Sequence, residues 1–372
     1  MTEAKNIALA LSGGGIRAMV FHLGVLKYLS EQNKLEEISH ISTVSGGSLI
    51  VGLLLKENQM QWPTSSQYIA SILPSLRKKL CTRSLMGGMF RQLLNPQNWY
   101  FLLSRANLLA GALRDEWGVT DKLIDLPTYP EWSINGTTAE TGKRFRFKQK
   151  DFGDYLLGYA SSKNFPLANA LAVSAAFPGG IGPLVVQAES YEWKKRQWHE
   201  PIERASIVNP LYRRFHLYDG GVYDNLGLEP FFDAGKGNLK ETLPPGTKLI
   251  LSDAGAPLAQ KFSSFKANPW RLKRVTDIMS DQSRSLRIRT FVNYIKEDSN
   301  KGTLIYIADK VTNEPTCISA EFASNFSTTL RQLTYTEFDK IFNHGYEVTK
   351  KRFIDSSEST QPKIKELKLI SR

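Results

Sequence analysis

LALSGGGIRAMVFHLGVLKYL, residues 9–29, sets an apolar run, three consecutive glycines and a long apolar helical pattern end to end. In regular structure each glycine costs about 0.5–1 kcal/mol of backbone entropy relative to alanine, and a tight connection needs only one or two. Three in a row point to a backbone that something must approach closely. The residues before them, NIALALS (6–12), read as a short buried strand; residues 16–30 read as a buried helix, apolar on most faces. The same order returns at once. ISHISTV (38–44) is a second short strand, and SGGSLIVGLLLKE (45–57) a second apolar helix. Strand, tight turn and helix, repeated, predict a layered α/β domain with a largely parallel sheet.

With 372 residues the chain can bury a large core. The most apolar long stretch, 167–186, contains Pro178, Pro183 and three glycines, which a membrane-spanning helix would not choose. The start, MTEAKN, has an early Glu and no cationic lead into an apolar core, so it does not read as a signal peptide. Cys81 and Cys317 are too few and too far apart for a disulfide framework or a zinc site, and read as free thiols in a reducing cytosol. The net charge of +12 is the unusual bulk property; such a field attracts nucleic acid, anionic lipid or acidic partners without choosing among them. Half of it lies between Lys261 and Val292, where eight Lys/Arg face only Asp277 and Asp281.

Further along, residues 58–128 read as an irregular helical insertion and 131–148 as two strands around a Thr141-Gly142 turn. LANALAVSAA (167–176) reads as a helix stopped by Pro178. RFHLYDGG (214–221) and TKLILSDAG (247–255) read as strands that each deliver an Asp at the carboxyl end. A basic helix (266–297), a strand (302–309), a helix (335–353) and a frayed tail complete the chain. With no internal repeat and no long linker, the expectation is one domain over 1–372, its motif-bearing core at 6–255 and a C-terminal extension, 256–372, packed on it.

Ser45 is the sharpest chemical feature. It stands where a strand turns directly into a helix, with Gly46 and Gly47 behind it. Such an elbow projects a serine hydroxyl above the sheet, beneath the N–H groups of the emerging helix. An ordinary helix cap would use the same residues. If Gly13, Gly14 and Gly15 line a loop beside Ser45, their N–H groups can hold an oxyanion. A phosphate cradle is the competing use, but SGGGIRAM has neither a Walker nor a dinucleotide pattern. Arg17 either anchors an anion or pairs with a carboxylate. A nucleophilic serine needs a base. His344 could serve in a Ser–Asp–His order, although DKIFNHGYEV reads as a helix surface. Asp219, Asp253 and Asp309 also stand at strand ends, and only Asp219 is followed by Gly-Gly.

Gly-Gly-Gly-x-Arg on a strand–helix turn, a serine elbow about thirty residues later, Asp-Gly-Gly and SAAFP (174–178) together resemble the patatin-like phospholipases over residues 6–255. The resemblance implies a three-layer α/β/α fold, a Ser45–Asp219 dyad without a catalytic histidine and an oxyanion hole from Gly13, Gly14 and Gly15. It further implies phospholipid or a membrane surface as partner, no nucleic acid, and no metal or organic cofactor. Thr43 and Ala18 stand where the family often has glycine. The function expected is fatty-acyl ester hydrolysis on glycerophospholipids, with a soluble esterase or thioesterase and a non-enzymatic phosphate binder as rivals. Phe262, Phe265 and Trp270 among the cations of 261–292 make that segment a candidate docking surface at the inner face of a membrane, with a solvated helix face as the plain alternative and the Trp62–Trp117 insertion as the competing surface.

Overall fold

In β1 (Ile7–Leu11) all five residues are buried, because both faces of the strand are covered. Ile7, Leu9 and Leu11 enter one hydrophobic core while Ala8 and Ala10 enter another. That is the pattern of a strand in the middle layer of three. The computed structural model describes residues 6–102, 104–197, 200, 204–258, 270–311 and 315–358. Phe262, Phe265 and the tail beyond 358 lie outside the described residues, as do the side chains of Trp270 and Cys317.

After β1 come α1 (Gly15–Glu31), β2 (Ile38–Thr43) and α2 (Gly46–Glu57). Both helices are buried all round over most of their length, as helices sandwiched between a sheet and a further layer must be. The segment before the next strand is helical: α3 (Ser65–Gln67) passes through one π turn into α4 (Leu73–Thr82), followed by α5 (Leu85–Gln92), a 3-10 stretch (Pro96–Phe101) and α6 (Ala106–Trp117). The strands β3 (Glu131–Thr138), β4 (Arg144–Phe147), β5 (Asp151–Asp154) and β6 (Gly158–Ser161) then lead into α7 (Leu167–Ser174). Beyond it lie β7 (Leu184–Gln187), β8 (Trp193–Lys195), β9 (Ser206–Val208), β10 (Arg214–Asp219), the short α8 (Gly221–Asp224) and a hairpin, β11 (Phe232–Asp233) with β12 (Asn238–Leu239). The C-terminal part supplies β13 (Lys248–Asp253), α9 (Trp270–Glu297), β14 (Gly302–Tyr306), α10 (Pro315–Asn325) and α11 (Tyr335–Glu358).

The sheet is mixed. Its order is β14-β13-β1-β2-β3-β4-β5-β6-β8-β9, and β14, β13, β1, β2 and β3 run parallel. From β3 onward every pairing is antiparallel, so the parallel expectation holds for that first half only. β10 joins out of line: it pairs antiparallel with β3 through Leu217, Tyr218 and Asp219 opposite Thr138, Thr137 and Gly136. On one face lie α1, α2 and α11; on the other, Phe291 of α9 packs with Phe232 of the hairpin.

α11 packs directly on α1. A Cβ at Gly24 or Gly345 would collide with the backbone of the opposite helix, so these two glycines allow the contact. The close approach buries His344, whose Nε2 meets the Ile307 carbonyl at 2.6 Å while its ring packs on Phe21. The helix-surface reading of His344 is therefore corrected: the residue is 2% exposed.

Candidate active site

β2 ends at Thr43, and the chain turns through Val44 into α2 at Ser45. Ser45 adopts φ 51° and ψ −119°, a backbone conformation that a non-glycine residue holds only when its surroundings over-determine it. A relay of hydrogen bonds does so. The Ser45 N–H donates to both the carbonyl and the Oγ of Ser174, each at 3.0 Å. Ser174 Oγ donates to the Asn135 carbonyl at 2.7 Å and is bonded to Ser48 Oγ at 2.8 Å. Ser48 in turn meets Thr43 Oγ1 at 2.7 Å, which accepts from the Trp132 indole N–H at 2.9 Å. Thr43 thus fixes the elbow through its hydroxyl, so this departure from glycine is accommodated. Sequence reasoning singled out SAAFP but not the part played by Ser174.

Asp219 reaches the elbow because two strands meet end to end. β2 runs parallel to β3 and β10 antiparallel to it, along the same edge. Thr43 lies opposite Ile134 and Asp219 opposite Gly136, two positions, or about 7 Å, further along β3. The carboxyl ends of β2 and β10 therefore converge. Alternation along β10 buries Phe215, Leu217 and Asp219, which puts the carboxylate inside rather than on the rim. Its Oδ1 accepts the Gly221 N–H at 2.6 Å, and the Ser45 hydroxyl supplies a side-chain hydrogen bond. Burial outweighs both and raises the Asp219 pKa from 3.8 to about 7.

The three glycines each answer a different constraint. A Cβ on Gly13 would collide with Asn225 Oδ1 and press on Ser45 Cβ. Gly14 (φ 146°) and Gly15 (φ 61°) hold the left-handed side of the map at the start of α1. The Gly13 N–H donates to the Asn225 carbonyl at 3.0 Å, which corrects its expected role: that donor is occupied. Among the described residues no acceptor is bonded to the N–H of Gly14, Gly15 or Gly46. Gly15 opens α1 and Gly46 opens α2, and a Cβ on Gly46 would run into the Gly15 carbonyl. On Gly47 it would come within 2.6 Å of the Leu11 carbonyl. Two helix N-termini therefore abut beside Ser45, and their unpaired N–H groups make the neighbourhood favourable to negative charge.

Arg17 is drawn elsewhere. Its side chain is buried, Nε donating to the Ala254 carbonyl at 3.1 Å and Nη1 to the Phe326 carbonyl at 2.6 Å. The residue braces the glycine loop against the C-terminal segment; it does not present an anion anchor, and its partners are carbonyls rather than a carboxylate. Burial lowers its pKa to about 10. The other strand-end acids are also committed: Asp253 accepts from Arg284 Nε at 2.9 Å and Asp309 from Arg352 Nε at 3.0 Å. His22 lies beneath the loop, bonded to Ser252 Oγ at 2.8 Å and the Ser12 carbonyl at 3.0 Å. Burial lowers its pKa to about 4, so it stays neutral. His216 pairs with Glu140, His40 with Ser39, and His199 lies outside the described residues.

A groove of about 540 Å³ opens between Pro178, Ile181, Tyr218 and Val222, with Leu102 and Arg105 as its outer wall; neither Ser45 nor Asp219 lines it. Ser104 Oγ donates to the Pro183 carbonyl at 2.6 Å and Arg105 Nη1 to the Gly180 carbonyl at 3.1 Å, fastening that wall to the loop after α7.

Comparison with known proteins agrees with this architecture. Human GIVD cytosolic phospholipase A2 superposes with a TM-score of 0.56 at 11% identity, over 95% of this chain and 62% of that one. The same enzyme in complex with methyl gamma-linolenyl fluorophosphonate and terbium chloride gives 0.52 at 11% identity, over 95% and 59%. At that identity the likeness is one of fold, and this chain spans 62% of the first relative's length. No curated protein sequence matches it. A model of the patatin-like phospholipase family matches residues 9–232, a span that runs from the strand before the glycines to beyond Asp219. More than half of the chain lies in that match, and it belongs to the patatin-like phospholipase family, whose members are lipid acyl hydrolases.

Proposed function

We propose that this protein hydrolyses fatty-acyl esters of glycerophospholipids through a Ser45–Asp219 dyad. The observation that carries the reading is the end-to-end convergence of β2 and β10, which sets a buried carboxylate against the hydroxyl of a strained elbow. A carboxylate with its pKa raised to about 7 is a usable base near neutral pH. Ser45 Oγ attacks the ester carbonyl as Asp219 takes its proton. The resulting oxyanion is held by the N–H groups of Gly14 and Gly15, with Gly46 adjacent, each such donor contributing about 3–4 kcal/mol. Asp219 then returns the proton to the departing lysolipid alcohol, leaving an acyl ester on Ser45. A water molecule deprotonated by Asp219 attacks that ester, releases the fatty acid and restores the serine.

The C-terminal segment belongs to the proposed catalytic unit. The Thr329 carbonyl accepts the Ile16 N–H at 2.9 Å, and the Phe326 carbonyl holds Arg17. A cytosolic site is part of the same proposal and accords with Cys81 being a buried free thiol. Among the described residues no helix is long and apolar enough to cross a membrane. Labelling by a fluorophosphonate probe tests the chemistry. The expected adduct is on Ser45, and Ser45→Ala abolishes both labelling and hydrolysis of a short soluble ester. Activity above a few per cent in that variant refutes the dyad. Labelling with turnover of soluble esters but none of phospholipid vesicles would select the esterase reading instead.

A further inference from the structure

From Asn58 to Arg114 the chain contains no Asp or Glu and seven Lys/Arg. Some of these cations turn to acids outside the stretch: Arg77 to Asp339 and Lys79 to Glu57. Arg83 and Arg91, both more than half exposed, share the single carboxylate of Glu116. Lys78 and Arg105 are exposed as well. A large apolar patch lies within this basic field. α5 exposes Phe90, and the stretch that follows exposes Leu94 (80%), Trp99 (59%) and Tyr100 (85%). The Trp99 N–H donates to the Leu93 carbonyl at 2.8 Å, which fixes the indole while its ring stays in solvent. Exposed apolar surface of this kind, rimmed by one sign of charge, marks an interaction site.

We propose that residues 85–102 dock the protein on an anionic phospholipid bilayer, a proposal that rests on the acyl-hydrolase reading of Ser45. Trp and Tyr favour the boundary between headgroups and acyl chains. Each cation near an anionic surface adds about 1 kcal/mol of attraction; Glu116 and Asp115, packed against α5 through Arg91 and Gln92, offset part of it, and Lys78 and Arg105 add to it. Position favours lipid over a protein partner: Leu102 continues the patch into the outer wall of the groove lined by Tyr218 and Val222, residues that flank Asp219 in the chain. α9 is the competing surface. It exposes Val275, Met279 and Leu286, but Asp277 and Asp281 interrupt its charge and it contributes no residue to the groove.

The test uses the full chain with Leu94→Ser and Tyr100→Ser together, two side chains that stand almost wholly in solvent. Binding to phosphatidylcholine vesicles with and without phosphatidylserine is measured by co-sedimentation, beside hydrolysis of vesicle lipid and of a short soluble ester. The expected result is a loss of about tenfold or more in affinity for the anionic vesicles, with a matching fall in the ratio of vesicle to soluble-ester turnover. Quenching of tryptophan emission by brominated lipid is expected to fall in Trp99→Phe. Undiminished binding in the double variant, or a loss found instead in Val275→Asp with Met279→Asp on α9, overturns the proposal. Wild-type protein that binds neither kind of vesicle would leave the patch to a protein partner and overturn the proposal. If the wild-type protein binds anionic vesicles but neither hydrolyses an ester nor takes the probe, the Ser45 reading fails while the docking surface stands.

Discussion

Replacing Asp219 with asparagine separates the chemistry of this carboxylate from its effect on the fold. The group is 4% exposed and has the Gly221 N–H and the Ser45 hydroxyl as its hydrogen-bond partners. Its pKa moves from 3.8 to about 7, which corresponds to about 4 kcal/mol between ionised and neutral forms. Between those two values the folded protein keeps a proton that the unfolded chain has released. Stability therefore falls as pH rises through that window, and the full penalty stands above the folded pKa. Asparagine keeps the oxygen that accepts from Gly221 and carries no charge. Asp219→Asn is expected to stabilise the protein by about 2–4 kcal/mol at pH 8 and by almost nothing near pH 4, while abolishing ester hydrolysis. Denaturant unfolding at the two pH values reads the first effect, and turnover of a soluble ester reads the second. A variant no more stable than wild type at pH 8, or equally stabilised at both pH values, refutes the burial argument.

The pH profile of kcat/KM on a soluble ester should fall about tenfold per unit below pH 7, because the free enzyme must carry Asp219 ionised; a profile flat from pH 5 to 9 removes it as the base. His344→Ala should lower stability by about 2–3 kcal/mol through a lost buried hydrogen bond and a cavity, with kcat/KM per folded molecule unchanged. A collapse of kcat/KM in that variant would install a histidine in the mechanism.

Local structure near the amino terminus was legible because it needs few partners. β1, α1, β2 and α2 are buried so completely that their apolar runs and glycine punctuation define them directly. Elements whose burial depends on distant neighbours were not legible. β8 is Trp-Lys-Lys, a strand only because it lies between β6 and β9. Gly13, Arg17 and His344 each changed meaning for the same reason. Their partners are Asn225, Phe326 and Ile307, and nothing near them in the sequence names those residues. The candidate pair itself was legible, since a strained elbow and an Asp-Gly-Gly turn are local features. The proposed oxyanion donors were legible only as a group of glycines, not as the particular N–H groups that have no acceptor among the described residues.

Strand direction is where sequence reasoning lacked the decisive information. In an all-parallel sheet the carboxyl ends of the strands share one rim, so Asp219 and Asp253 would be equivalent candidates beside Ser45. The observed sheet makes them unlike. Asp253 ends a parallel strand on that rim, where its carboxylate is committed to an ion pair with Arg284. Asp219 ends an antiparallel strand that meets β2 head-on, within the line of the sheet, where Phe215 and Leu217 share its buried face. It has no cationic partner among the described residues, and desolvation lifts its pKa into the working range of a base. One reversal of strand direction thus brings the carboxylate to the serine and keeps it dry. The hydrogen bonds that Gly221 and Ser45 donate leave it ionisable near neutral pH.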